Sequence, residues 1–487
     1  MSLARFVVTA VVLSGLANTS PAAPRAPGAE RVGKGQWRAG VARVTVTPRE
    51  PIFMEGYASR TRPSEGVRQD LFVKALALQD ETGATSVLVT SDLHSYTRGM
   101  SDTIATAVKA KYGLPRERLI LNASHTHGGP VVTGEPWLRP AEDINAEQEV
   151  VIRRYTAHLL DQIVGVIGQA IGNLAPAQIS FGQGSAGFGV NRRRVAAGMR
   201  QLPGVVDQDV PVLNVRAADG AQRAIVFGYA CHATSSPADY QITGDWPGYA
   251  QAALEAANPG ATAMFLNGCG ADCDPMPHGT VELPKMYGDL MGAAVREVLN
   301  GQMRTLSGPL TPAFGYAEIP FQTPPTKEEL QQRLKTASGI NARHAKLFLS
   351  VLERDGKIYD HYPYPIQVWR FGPPASPDGT QPSSGEPAPK PRATAGSGLT
   401  LIALGGEPVV DYALRFKAEY GWEDTWVAGY SNDVMGYAPS LRVLNEGGYE
   451  VGSAMINYGR PGPLGPGVEE AIAGKVAELA ARAGVKK

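Results

Sequence analysis

Apolar positions along this chain fall into short continuous runs, each ending in turn-forming residues and often followed by a stretch with helical spacing. The runs Leu71 to Gln79 and Thr85 to Ser91, separated by Glu81-Thr82-Gly83, predict a hairpin. Leu119-Ile120-Leu121-Asn122-Ala123 predicts a buried strand, as do Ala224 to Ala230, Ala261 to Asn267, Leu399 to Leu404 and Thr425 to Gly429. Apolar recurrence at three and four residues predicts helices over Asp102 to Lys111, Gln148 to Asn173, Pro247 to Ala257, Leu283 to Leu299, Lys327 to Leu352 and Val468 to Arg482. Strands alternating with helices predict an α/β fold of mixed, partly parallel β-sheets flanked by helices.

The remaining segments set the organisation. Residues 1–22 read as a secretory signal: Arg5 is the positive region, Phe6 to Leu16 the short apolar stretch and Ser20-Pro21-Ala22 the small-residue cleavage site. A flexible segment is expected over 23–36 and a single hydrolase domain over 37–487, interrupted by a Pro/Ser/Gly-rich loop at 372–396. The apolar stretch is shorter than the ~20 residues of a membrane span, so a secreted or periplasmic protein with no transmembrane segment is expected. Lysine plus arginine and aspartate plus glutamate both number 46, with no basic stripe, which argues against nucleic acid as a partner. Three cysteines, Cys231, Cys269 and Cys273, are too few for a disulfide framework. One bridge, Cys231 to Cys269 among the options, would leave an odd thiol.

Chemistry-bearing side chains cluster where these strands end. The Leu119 run leads into Ser124-His125-Thr126-His127-Gly128-Gly129-Pro130. In extended backbone, residues two apart point the same way, so the two imidazoles should face one site, and the glycines and proline turn the chain at once. The Ala224 run leads into Cys231-His232, the Leu399 run into Gly405-Gly406-Glu407, and the Thr425 run into the segment ending at Tyr437. If these strands share a sheet, His125, His127, His232, Glu407 and Tyr437 converge on one edge. Neutral imidazoles with hard oxygen donors suit Zn²⁺ with an open position for water. Each residue also has an ordinary alternative. His232 could cap a helix or sit in the core, Glu407 could stabilise a helix N-terminus, and Tyr437 could be a packed aromatic. The repeated coincidence of a donor at a strand end favours the metal.

These segments resemble the neutral/alkaline non-lysosomal ceramidases, zinc-dependent amidases of the N-acyl bond, from about Gly40 to Glu450. The resemblance rests on Met54-Glu55-Gly56-Tyr57, Ser124-His125-Thr126-His127, Asn191-Arg192, His232-Ala233-Thr234-Ser235, Gly244-Asp245, Gly248-Tyr249, Gly406-Glu407, and Tyr437 with Tyr449. It implies His125, His232, Glu407 and Tyr437 as zinc ligands. It further implies His127 as an acid/base or substrate contact beside the metal, and Tyr449 as a stabiliser of the oxyanion. Two departures stand out. The family's catalytic serine segment, Gly-Asp-Val-Ser-Pro, corresponds here to Gly270-Ala271-Asp272-Cys273-Asp274-Pro275, which carries one extra residue and no serine. Asp274 or Cys273 takes the serine's place, depending on which end is counted from. The family's C-terminal immunoglobulin-like domain is not expected after Tyr449.

The implied activity is hydrolysis of a small-molecule or lipid N-acyl amide by water that zinc activates. Asp274 would orient substrate or water, and Cys273 would be a small buried residue rather than a nucleophile. A true ceramidase and a catalytically silent zinc-containing binding protein are the alternatives. The oligomeric state stays open.

Overall fold

A computed structural model describes residues 36–133, 144–196, 204–372 and 398–487. The signal-like segment, most of the segment after it, and the Pro/Ser/Gly-rich loop beyond Gly372 lie outside the described residues.

The buried runs assemble two sheets. The larger has nine strands, in the spatial order Thr262–Asn267, Gln222–Tyr229, Asp209–Ala217, Ala175–Ser185, Trp37–Thr45, Phe72–Gln79, Thr85–Ser91 and Leu119–Ala123, with Arg304–Leu306 pairing Ala175–Ser185 off this path. Only its outermost pairs are parallel, Thr262–Asn267 with Gln222–Tyr229 and Thr85–Ser91 with Leu119–Ala123. The sheet curls until its edges approach. Lys74 Nζ donates to the Ala263 carbonyl at 2.8 Å, and the Asn267 amide donates to Asn122 Oδ1 at 3.0 Å. The smaller sheet contains Leu310–Pro320, His361–Phe371, Leu399–Leu404 and Thr425–Ala428, the last two parallel.

Side-chain alternation decides what each face meets. Leu76, Leu78, Leu213, Val226 and Leu266 face the smaller sheet and pack against Trp369, Leu401 and Trp426. At Gly228 a Cβ would come within 2.8 Å of the Trp426 indole, so glycine lets the sheets close there. On the opposite face Val73, Val87, Val89 and Leu121 carry the helices Arg98–Tyr112 and Ala146–Gly172 through Ile104, Val108, Ile163 and Ile167. Ile225, Phe227 and Phe265 carry Asp245–Ala257 and Leu283–Asn300 through Trp246, Leu254, Met291 and Val295. The smaller sheet's outer face is covered by Val410–Tyr420 and Val468–Arg482, with Phe416, Ile472, Val476 and Leu479 on Ile366, Val368 and Ile402. The result is a helix–sheet–sheet–helix sandwich, a mixed α/β architecture with partly parallel sheets as the sequence predicts.

One predicted helix is corrected. Lys327 to Leu352 is two helices, Lys327–Thr336 and Gly339–Asp355, because Ala337 and Ser338 are extended and Gly339 takes φ 56°. Apolar spacing runs on across a break that Ser338-Gly339 makes easy. All three cysteines are buried free thiols, so the Cys231 to Cys269 bridge does not form in this structure. Among the described residues no helix is long and apolar enough to cross a membrane.

Candidate metal centre

The strand ends that the sequence singles out belong to two sheets, not one. They meet because both sheets end at the same side of the sandwich and their loops are stitched together. The Ala123 amide donates to the Tyr430 carbonyl at 3.2 Å and the Asn432 amide to Leu121 at 2.7 Å. Gly429 N donates to Asn267 O at 3.0 Å, and Thr126 bridges Ala233. The strand ends at Ala123, and His125 has φ 60°, a left-handed conformation that non-glycine residues rarely adopt. Extended alternation therefore does not orient the His125/His127 pair. The surrounding hydrogen bonds hold the strained backbone, a pattern common where function fixes a side chain.

Three buried donors meet at the centre. His125 Nε2 lies 3.1 Å and His232 Nε2 3.2 Å from the same Glu407 oxygen, Oε2. Each imidazole commits its other nitrogen to a backbone carbonyl: His125 Nδ1 to His94 O at 2.8 Å, and His232 Nδ1 to Gly270 O at 2.7 Å. Those bonds place the ring proton on Nδ1 and turn the Nε2 lone pairs inward. Glu407 Oε2 is buried with no hydrogen-bond donor aligned on it. Lone pairs facing a carboxylate oxygen repel unless a cation lies among them, so the donor set fits a divalent metal. Further contacts fix the ligands. Tyr458 donates to Glu407 Oε1 at 2.7 Å and Trp246 Nε1 to the His232 carbonyl at 2.8 Å. Asp245 accepts from the Ser235 and Ser236 amides in the loop after His232.

Tyr437 reaches the centre by a parallel bridge that pairs it with Glu407. Its hydroxyl accepts from Arg192 Nη2 at 2.9 Å. Burial pushes the phenol well up, and Arg192 works against that rise. Arg192 also reaches Glu450 at 3.0 Å and Asp274 at 3.4 Å, tying three predicted site segments together. On the short strand Cys273–Pro275, alternation sends neighbours to opposite sides. Asp274 Oδ1 stands 3.8 Å from His232 Nδ1. Cys273 joins the cluster of Phe188, Tyr229 and Cys231. Burial first, then the adjacent Cys273, pushes the Cys231 thiol well up. Tyr449 is 46% exposed, with its ring 5.6 Å from that of Tyr437.

His127 faces the same space from the other side, its ring 5.1 Å from His125 and 5.7 Å from His232. Both its ring nitrogens are buried without a hydrogen-bond partner. Burial above all holds it well below the usual imidazole pKa. Gly56, at φ 101°, lies flat against it, where a Cβ would stand 2.4 Å from His127 Cγ. Glycine is required there on both counts.

Sequence reasoning missed His94, whose ring sits 4.0 Å from that of His125 and whose Nδ1 is 3.4 Å from Glu55 Oε1. It follows the Thr85–Ser91 strand by three residues, so the strand-end rule that found His125 also points to it. Tyr458 and the role of Arg192 were missed as well. Tyr458 lies in no motif, and only the folded chain shows what Arg192 touches. A cavity of about 110 Å³ opens over the centre, its lining including His125, His127, Glu407, Tyr437 and Tyr449 together with Arg98, Asp433 and Arg460.

Comparison with known proteins bears on the family and the fold. Residues 37–271 match the family model "Neutral/alkaline non-lysosomal ceramidase, N-terminal". The neutral ceramidases of Drosophila melanogaster and Drosophila pseudoobscura pseudoobscura are each 29% identical over 98 residues, 19% of this chain. That stretch spans 14% of the length of either relative. The solved neutral ceramidase of Pseudomonas aeruginosa superposes with a TM-score of 0.67 at 18% identity, covering 93% of this chain and 76% of that one. A ceramidase complexed with C2 gives 0.68 at 18% identity with the same coverage. Residues 37–271 thus match the neutral/alkaline non-lysosomal ceramidase family, the family that the chain's own motifs resemble.

Proposed function

We propose that this chain is a zinc-dependent amidohydrolase that cleaves an N-acyl bond with water as the nucleophile. One observation carries the reading: two imidazole lone pairs, their tautomers set by backbone carbonyls, converge on a buried carboxylate oxygen that has no donor. His125, His232 and Glu407 would hold the ion, with Tyr437, held by the Arg192 hydrogen bond, as a fourth donor. When bound, the ion supplies Lewis acidity toward a carbonyl and toward water. Nitrogen and oxygen donors in this set favour zinc over magnesium or calcium.

The chain's own residues do the rest. Tyr449 is exposed in the cavity wall and donates to the carbonyl oxygen as it gains charge. His127, neutral and with no hydrogen-bond partner, carries the proton to the leaving nitrogen. Asp274, beside Arg192, orients substrate or water. Cys273 packs in the core, which supports water rather than a thiolate as nucleophile. A signal over residues 1–22 would deliver the enzyme outside the cytoplasm.

Arg98, Arg460 and Asp433 in the cavity lining favour an amide with polar groups over a long-chain ceramide. The family match over residues 37–271 favours ceramide itself as the second reading. Hydrolysis of a panel of N-acyl compounds by the purified protein, before and after chelation, tests the proposal. Turnover should vanish on chelation and return with Zn²⁺, with short polar amides cleaved faster than long-chain ceramide. Full activity without metal overturns it, and bound metal with no turnover leaves a binding protein.

A further inference from the structure

Two groups of potential ligands, not one, lie under the cavity among the described residues. His125, His232 and Glu407 form the first, and His94, His125 and His127 the second, the ligand atoms within each lying within 4.8 Å of one another. His125 is common to both, yet it has a single free nitrogen, because Nδ1 is bonded to the His94 carbonyl. An imidazole nitrogen binds one ion. If His125 serves the first position, His94 and His127 are left facing each other with ring centroids 5.1 Å apart. His127 Nδ1, His127 Nε2 and His94 Nδ1 are buried without a hydrogen-bond partner, and His94 is only 6% exposed. Glu55 brings a carboxylate to the same place, 3.4 Å from His94 Nδ1. Two neutral imidazoles and a carboxylate are a ligand set for a divalent transition ion.

We infer that Glu55, His94 and His127 form a second metal position beside the first, making the site a two-metal centre. This rests on the proposed first position at His125, His232 and Glu407. Two ions set side by side can stabilise the attacking and the leaving groups of one hydrolysis. The assignment moves His127 from proton carrier to ligand, and metal counts separate the two roles.

The experiment is elemental analysis of the full chain, stripped with chelator, reloaded with excess Zn²⁺ and freed of loosely bound ion. The wild type should retain two ions per chain, and His94→Ala, His127→Ala and Glu55→Gln one each. His232→Ala should also fall to one, by losing the other position. Circular dichroism confirms that each variant is folded, and Glu55→Gln, which keeps shape and volume, serves if an alanine variant is not. One ion in the wild type, unchanged in His94→Ala and Glu55→Gln, overturns the second position and leaves the first intact. No retained ion in the folded wild type overturns the first as well.

Discussion

Nε2 of His125, in the loop after the last strand of the larger sheet, lies 3.1 Å from Oε2 of Glu407, which follows the smaller sheet's Leu399–Leu404 strand. The contact has no aligned hydrogen bond, and a cation between the two groups would stabilise it. Replacing His125 or His232 by alanine should therefore weaken metal affinity by well over ~100-fold, more than loss of a supporting partner costs. Turnover should fall with it. Competition against a fluorescent chelator measures the affinity, and unchanged affinity in either variant removes that residue from the ligand set.

Tyr458→Phe tests the support behind Glu407. The hydroxyl donates to Oε1 at 2.7 Å in a buried setting. Its loss should weaken metal binding by roughly 10- to 100-fold while the chain stays folded. A variant with wild-type affinity and only a lowered melting temperature would make Tyr458 a packing residue.

The divergent segment separates its two candidates by direction. Cys273 packs with Cys231 and Tyr229 in the core, whereas Asp274 contacts Arg192 at 3.4 Å. Cys273→Ser should keep most activity and trap no acyl-enzyme. Asp274→Ala should lose roughly 10²-fold in kcat with a near-normal melting temperature. Inactivation by a thiol reagent, with protection by substrate, would reverse the assignment.

Asp272 should give stability a pH dependence of unusual sign. Burial pushes its carboxyl up to about 6, against the Val410 amide and Arg192, which pull it down. Because the folded value exceeds the unfolded one of about 3.9, the contribution is present below that pH and is lost as pH rises through about 6. About two units correspond to at most about 3 kcal/mol. Urea unfolding of wild type and Asp272→Asn between pH 4 and 7 measures it. The wild type should lose stability relative to the variant across that window, and parallel curves would contradict the shift.

How much of this was legible depends on where the signal lay. The runs at Leu119, Ala224, Leu399 and Thr425 are buried on both faces, so their apolar continuity announces them. Ala175–Ser185 mixes buried and exposed positions and carries glycine and proline, so its place mid-sheet comes from its neighbours. His125, His232, Glu407 and Tyr437 were readable because each follows such a run or its turn. His125 and His127 come together, but not through extended alternation, since His125 is left-handed. His94, three residues past the Thr85–Ser91 strand, was within reach of the same strand-end rule, whereas Tyr458 became visible only in three dimensions, through Glu407, far from it in the chain.

The position of the metal is the most direct test of this centre. Anomalous diffraction across the zinc absorption edge, from crystals of protein purified without chelator, locates it. A peak within bonding distance of His125 Nε2, His232 Nε2 and a Glu407 oxygen is the predicted result. An active preparation with no peak there, and hydrogen bonds closing the gaps among those three side chains, would contradict it.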